Sequence, residues 1–223
     1  FVRREDASTP PTFRVRPAGQ VVEDLHAGLA RIPAGETPLV LFQDSILNGD
    51  PRRLEALCDR LIAENMRLAW GAQVSFSRPL SKALLEKMHA SGCRHLFWGL
   101  ESASLEILDR MKKRFSPADA RRTLDTSSGL GIRNYLPLIV GFPGERPRHL
   151  LETLDFVLAY RDAHNVEFLY VSKLEIKPNS PLGDAAEDYG ITQNDPYGWI
   201  ADEGRNTEPV RTFRQRLLEG FLR

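Results

Sequence analysis

Apolar residues along this chain alternate between helical spacing and short extended runs, five times over. Val21, Val22, Leu25 and Leu29 recur at helical intervals and lead into Leu39 to Phe42, an unbroken apolar stretch. Leu54, Leu57, Cys58, Leu61 and Ile62 repeat the helical pattern behind Pro51, and Arg67 to Phe76 reads as extended. Leu84, Leu85 and Met88 precede a strand over His95 to Glu101. Ser116-Pro117-Ala118-Asp119 predicts a capped helix start, with the helix ending near Gly129 ahead of a strand over Asn134 to Gly141. Leu150, Leu151, Leu154, Val157 and Leu158 form the last of these stripes, before an extended Glu167 to Ile176. Helix–strand units with connections this short predict parallel strands joined by crossover helices, an α/β fold.

Two strand ends stand out. His95-Leu96-Phe97-Trp98-Gly99-Leu100-Glu101-Ser102 and Leu138-Ile139-Val140-Gly141-Phe142-Pro143-Gly144 are apolar runs that stop in a polar or glycine-rich corner. In a parallel sheet such corners share one face, where ligands bind. Pro137 lies inside the second run and has no N–H for a sheet ladder, so a bulge or a frayed start is expected there.

A parallel α/β sheet ordinarily opens on a strand, whereas this pattern opens on a helix. The expectation is a partial (β/α)6 TIM-like barrel lacking its first strand, five strands being visible. Residues 1–19, with Pro10, Pro11, Pro17, Arg3, Arg4, Arg14 and Arg16, read as an irregular segment. Residues 20–182 carry the barrel. Residues 183–223, with Asn194-Asp195-Pro196 and a final stripe of Phe213, Leu217, Leu218 and Phe221, read as a mainly helical and irregular C-terminal extension.

Thirty basic residues balance thirty acidic ones, without the positive surplus of a nucleic-acid-binding domain, so no nucleic-acid partner is expected. No apolar run is long enough to span a bilayer, and no membrane partner is expected either. The two cysteines, Cys58 and Cys93, have no CxxC spacing, which speaks for core thiols and a cytoplasmic, reducing location.

Gly92 to Lys113 resembles the fourth-strand segment of radical S-adenosylmethionine enzymes, and Ile139-Val140-Gly141-Phe142-Pro143-Gly144-Glu145 resembles their fifth-strand motif. Pro178-Asn179-Ser180-Pro181-Leu182 with Glu187-Asp188-Tyr189-Gly190-Ile191 is similar to the sixth-strand end of the cobalamin-binding branch. Phe13-Arg14-Val15-Arg16-Pro17, followed by Val21-Val22-Glu23-Asp24-Leu25, resembles the segment that follows the cluster loop in that family. The resemblance implies S-adenosylmethionine and a [4Fe-4S] cluster as cofactors, with cobalamin in this branch, and a one-electron reductase as partner. It implies formation of a 5′-deoxyadenosyl radical, or methyl transfer, on a small-molecule or peptide substrate. The family's cluster sits on a CxxxCxxC triad that Cys58 and Cys93 do not form, so the ligands are expected ahead of Phe1 and the chain by itself is expected to be inactive.

The resemblance also nominates cofactor-binding residues, each with a plainer reading beside it. Glu101, with Ser102, would receive a ribose hydroxyl or the cofactor's ammonium at the barrel mouth; it could equally be a helix-start acid. Gln73 would hydrogen-bond cofactor or substrate, or be a satisfied amide. Asp44, in the Gln43-Asp44-Ser45 corner, would suit an ammonium, or cap the turn into Asn48. Gly141 and Gly144 would admit close backbone approach, or serve a tight turn. Lys113 matches a lysine frequent in the family, or belongs to a solvated basic cluster with Lys112 and Arg114. No catalytic side chain and no metal ligand is nominated. Two further readings stay open: a lyase or aldolase using Lys173 as a Schiff-base amine facing inward, and a barrel that binds a nucleotide or partner without catalysis.

Overall fold

The structure, a computed structural model, describes residues 16–222 apart from 34, 79, 178–179 and 193–197. Arg3, Arg4, Arg14, Pro178-Asn179 and Asn194-Asp195-Pro196 therefore lie outside the described residues. In chain order the elements are α1 (Ala18–Leu29), β1 (Leu39–Phe42), α2 (Pro51–Ala63), β2 (Ala69–Val74), α3 (Lys82–Ala90), β3 (Cys93–Trp98), α4 (Leu105–Arg110), α5 (Pro117–Gly129), β4 (Arg133–Val140), α6 (Pro147–Ala159), β5 (Val166–Lys173), α7 (Pro181–Asp184) and α8 (Glu208–Leu222). The five strands form one all-parallel sheet in the order β1-β2-β3-β4-β5. This is the α/β architecture that the alternating pattern predicts; the sixth strand of the expected barrel is not among the described residues.

The helices begin where their capping chemistry places them. Asp50 accepts the N–H groups of Arg52 and Arg53 ahead of Pro51, and Ser116 and Asp119 make a reciprocal capping box ahead of Pro117. The stripe of α2 is buried at Leu54, Leu57, Cys58 and Leu61. Short α4 leaves no signal in the sequence, because six residues carry too little periodicity to read.

Burial alternates along the strands. On β4, Asn134, Leu136, Leu138 and Val140 are buried, while Tyr135, Pro137 and Ile139 are half-exposed. The buried face packs under the helices with Trp70, Trp98 and Leu96 at its centre. Asn134 ties that layer together: its amide oxygen accepts Trp98 Nε1–H at 2.8 Å and Ser127 Oγ–H at 2.8 Å, and its nitrogen donates to the carbonyls of Ile132 and Asn165. The other face leaves Leu39 at 52%, Leu41 at 48% and Tyr170 at 55% exposure. Parallel sheets are ordinarily covered on both faces unless they wall a barrel, whose inner face looks into a bore.

Pro137 is accommodated as a bulge. The β4–β5 register shifts between Leu136 and Leu138, and the Pro137 carbonyl accepts the N–H of Glu101 instead of serving a regular ladder. After β5 the chain builds a second small core of Ile176, Ile191, Trp199 and Ala201, and then α8 packs against β5. Among the described residues no helix is long and apolar enough to cross a membrane.

Candidate cofactor-binding site

The C-terminal ends of the strands surround a cleft of about 590 Å³ that includes Ser45, Gln73, Glu101, Lys113, Tyr170 and Ser172. Glu101 lies just beyond β3, and its backbone extends the sheet by one rung. Its N–H donates to Pro137 O at 3.2 Å, and its carbonyl accepts Ile139 N–H at 2.8 Å. The clamp holds Glu101 at φ +65°, a left-handed conformation uncommon for a side-chain-bearing residue and frequent at functional sites.

The Glu101 carboxylate meets Lys113 Nζ at 3.3 Å, and the same ammonium donates to Gly99 O at 3.1 Å. Both side chains keep some solvent contact, 19% and 28% exposure, so the pair can exchange partners with a ligand. Lys113 reaches this position because the chain reverses after α4: Lys112 takes φ +58°, and Lys113 N–H returns to Leu108 O. Gln73 projects from β2 beside Phe97 in register, exposed, and its amide has no hydrogen-bond partner among the described residues.

Three of the nominated residues thus share one cleft, and four lie elsewhere. Asp44 sits next to cleft-lining Ser45, but its carboxylate is directed to Arg53, 3.8 Å away. Ser102 is buried; its Oγ lies 3.3 Å from Thr153 Oγ1 and accepts Ser104 N–H, binding the corner to α6. The Gly141–Gly144 corner is occupied by the protein itself. Gly141 N–H donates to Glu145 Oε2, Gly141 O accepts from Asn206 Nδ2, and Gly144 N–H donates to the Asp202 carboxylate. Pro143 O accepts Arg110 Nε–H. Gly141 has φ +84°, and a Cβ there would lie 2.4 Å from Arg211; at Gly144, φ +85°, it would lie 2.6 Å from Arg110. These glycines admit two arginine side chains.

Asn206, Asp202 and Trp199, whose sequence context carries no readable role, are the residues that close this corner. Arg211 is buried, lies 3.8 Å over the Trp199 ring and donates to the carbonyls of Trp199 and Asn206. Arg214 pairs with Glu145 at 2.9 Å; burial pushes the Glu145 carboxyl up, against the pull of Arg214. The signal that could have found this arrangement is the Arg211–Arg214 spacing, which puts both on one side of a helix facing Glu145.

Lys173 is a correction to the aldolase reading. It shares the helix-covered side of β5 with buried Val171, and its Nζ lies 2.6 Å from Glu208 and 3.0 Å from Thr212 of α8. Alternation puts Lys173 and Val171 on one face of β5, and that face is the one α8 covers. Cys58 and Cys93 are buried free thiols; burial pushes Cys58 up to about 11 and Cys93 further. Among the described residues no group of His, Cys, Asp or Glu is arranged to hold a metal.

A parallel sheet with one face open and polar groups gathered at its strand ends defines an α/β protein with the architecture of a partial barrel. The chain belongs to the Radical SAM superfamily, whose family model matches residues 7–157. It is 23% identical over 219 residues to bacteriochlorophyllide d C-12(1)-methyltransferase of Chlorobaculum tepidum, covering 95% of this chain and 45% of that one. It is 26% identical over 118 residues to an uncharacterized methyltransferase of Pyrococcus horikoshii, covering 52% of this chain and 25% of that protein. The cobalamin-dependent S-adenosylmethionine radical enzyme OxsB, in its apo structure, has a similar fold, with a TM-score of 0.71 at 17% identity over 99% of this chain and 38% of that one. The chain spans less than half the length of these relatives.

Proposed function

We propose that this chain is the S-adenosylmethionine-binding body of a cobalamin-dependent methyltransferase of the radical class. The observation that carries the reading is the Glu101–Lys113 pair with Gln73 in one cleft at the strand ends. S-adenosylmethionine has two ribose hydroxyls, an ammonium and a carboxylate. A half-open carboxylate and ammonium, beside an amide with no partner among the described residues, match those groups in kind. When bound, the cofactor supplies the methyl group or the 5′-deoxyadenosyl fragment. The residues of this chain bind it, orient it against the open face of the sheet and limit its contact with water. The methyltransferase names of the relatives and the cobalamin-dependent fold neighbour support the branch.

The cluster does not fit the residues of this chain. A [4Fe-4S] site with an open iron needs three thiolates, and the sequence holds two cysteines, both buried and with raised thiol pKa. No step is assigned to Cys58 or Cys93. The two unpaired thiols accord with a reducing, cytoplasmic location, and a one-electron reductase would be the redox partner.

The test is S-adenosylmethionine turnover by the longer protein that supplies the three cluster thiolates alongside this chain, reconstituted with iron, sulfide, hydroxocobalamin and a reductant. The expected products are 5′-deoxyadenosine or S-adenosylhomocysteine, formed by the wild type and strongly reduced in Glu101→Gln. Tight S-adenosylmethionine binding without either product would favour a non-catalytic binding barrel. Turnover indifferent to Glu101 and Lys113 would remove the site assignment.

A further inference from the structure

Away from the cofactor cleft, among the covering helices where α3 and α5 begin, lies a second cavity of about 400 Å³. Its floor is apolar and made of buried Phe76, Leu80 and Phe115. The Phe76 ring is stacked on Trp98, with centroids 4.2 Å apart and planes 12° from parallel, and meets the Phe115 ring at 5.1 Å. Trp98 is itself fixed by Asn134, so the floor is set before anything binds. The turn at residues 75–78 is clamped by buried Asn48, which accepts Ser75 N–H at 2.9 Å and donates to Ser75 O at 2.9 Å and Arg78 O at 2.7 Å. Ser77 Oγ in that turn accepts Arg114 N–H at 3.2 Å, which ties it to the segment bearing Phe115.

The rim is basic. Lys82, Arg114 and Arg122 line the cavity, and Asp119 is the one carboxylate among the described residues that line it. Asp119 is already engaged, by Ser116 in the capping box and by Arg122. Lys82 meets Glu86 at 3.7 Å between exposed side chains, a contact worth little, and Arg114 makes no ion pair among the described residues. Arg78 and Lys112, exposed on the same two loops, carry the positive surface beyond the cavity. In a chain whose thirty basic residues balance thirty acidic ones, this is a local surplus.

Floor and rim select the occupant together. A bare anion would leave the apolar floor wet, and a purely apolar ligand would sit beside three cations without answering them. Rings sunk at the bottom of a pit offer no platform on which a nucleic-acid base could stack. One apolar side chain flanked by carboxylates answers both, and the cations outside the cavity call for an occupant larger than the cavity. We propose that this cavity is a docking site for an acidic segment of a partner protein, with one apolar side chain of the segment on Phe76, Leu80 and Phe115 and its flanking carboxylates against Lys82, Arg114 and Arg122. Lys113, which reaches the cofactor cleft, directly precedes Arg114, so a partner held here sits beside the mouth.

The probe is the capped peptide Asp-Glu-Phe-Glu-Asp, titrated calorimetrically into the protein at low salt. It is expected to bind about tenfold more tightly than Asp-Glu-Ala-Glu-Asp, the worth of one buried ring, while Lys-Lys-Phe-Lys-Lys does not bind. Added salt should weaken it. Thr123→Trp fills the cavity from its half-exposed wall and keeps every charge, and should bring the phenylalanine peptide down to the affinity of the alanine peptide. Arg114→Glu/Arg122→Glu should reverse the preference in favour of the lysine peptide. The docking site is overturned if the phenylalanine peptide does not bind, if the two acidic peptides bind alike, or if Thr123→Trp binds the phenylalanine peptide like the wild type. A double variant that keeps the acidic preference overturns it as well. An oligouridylate that binds more tightly than the peptide and loses nothing in Thr123→Trp would make the surface a nucleic-acid contact and also overturn it.

Discussion

Glu101 holds a left-handed backbone conformation because sheet bonds on both sides of its peptide impose it, and the reward is a carboxylate aimed at the cleft with Lys113 against it. Glu101→Gln keeps the shape and removes the charge. S-adenosylmethionine affinity should fall about tenfold to a hundredfold, the range of a charge-assisted hydrogen bond, in a titration that leaves the unfolding midpoint little changed. Gly141 is the opposite case, a residue chosen by its neighbour. Gly141→Ala would set a methyl against Arg211 in a backbone state that alanine dislikes. Urea unfolding should show a loss of roughly 2–4 kcal/mol. Gly141→Ala/Arg211→Ala should lose less than the sum of the two single losses, because without the Arg211 side chain the clash is gone.

Among the elements, β4 depends on one buried amide and α8 on a partly exposed clasp. Asn134→Leu would leave Trp98 Nε1–H, Ser127 Oγ and two carbonyls without their partner, and should lower stability by roughly 2–4 kcal/mol in the same urea assay. The clasp of α8 on β5 has a pH signature. The hydrogen bond from Lys173 holds the Glu208 carboxyl below the usual glutamate range. A depressed carboxyl stabilises the fold above its unfolded pKa and loses that contribution as pH falls through the folded value. Melting temperature should therefore drop on acidification below about pH 4.5 more steeply in the wild type than in Lys173→Met, which has no such pair to lose. Equal slopes in the two proteins would show that the clasp adds nothing.

At the scale of the whole molecule, the thiols separate fold from chemistry. Cys58 lies on the buried stripe of α2 and Cys93 starts β3 under the same helices, so neither is available to iron. On reconstitution the wild type and Cys58→Ala/Cys93→Ala should take up equally little iron and sulfide, and the variant should show only a modest loss of stability from two small cavities. An iron–sulfur chromophore in the wild type that this variant lacks would make the cysteines ligands after all.

The chain's apolar spacing by itself determined the α/β order, the five parallel strands, the capped start of α5 and the burial of both cysteines, because each follows from local periodicity or local capping chemistry. Glu101, Gln73 and Lys113 were legible as candidates because strand ends in a parallel sheet share one face. Only the tertiary structure decided that these three meet while Ser102 turns inward, Asp44 turns to Arg53 and Lys173 turns to α8. It also decided that the Gly141–Gly144 corner is filled by Arg211, Asn206 and Asp202, residues some sixty positions further along the chain. Alternation along a strand says that neighbours point to opposite faces; which face is covered depends on where distant helices land, and no local pattern carries that information.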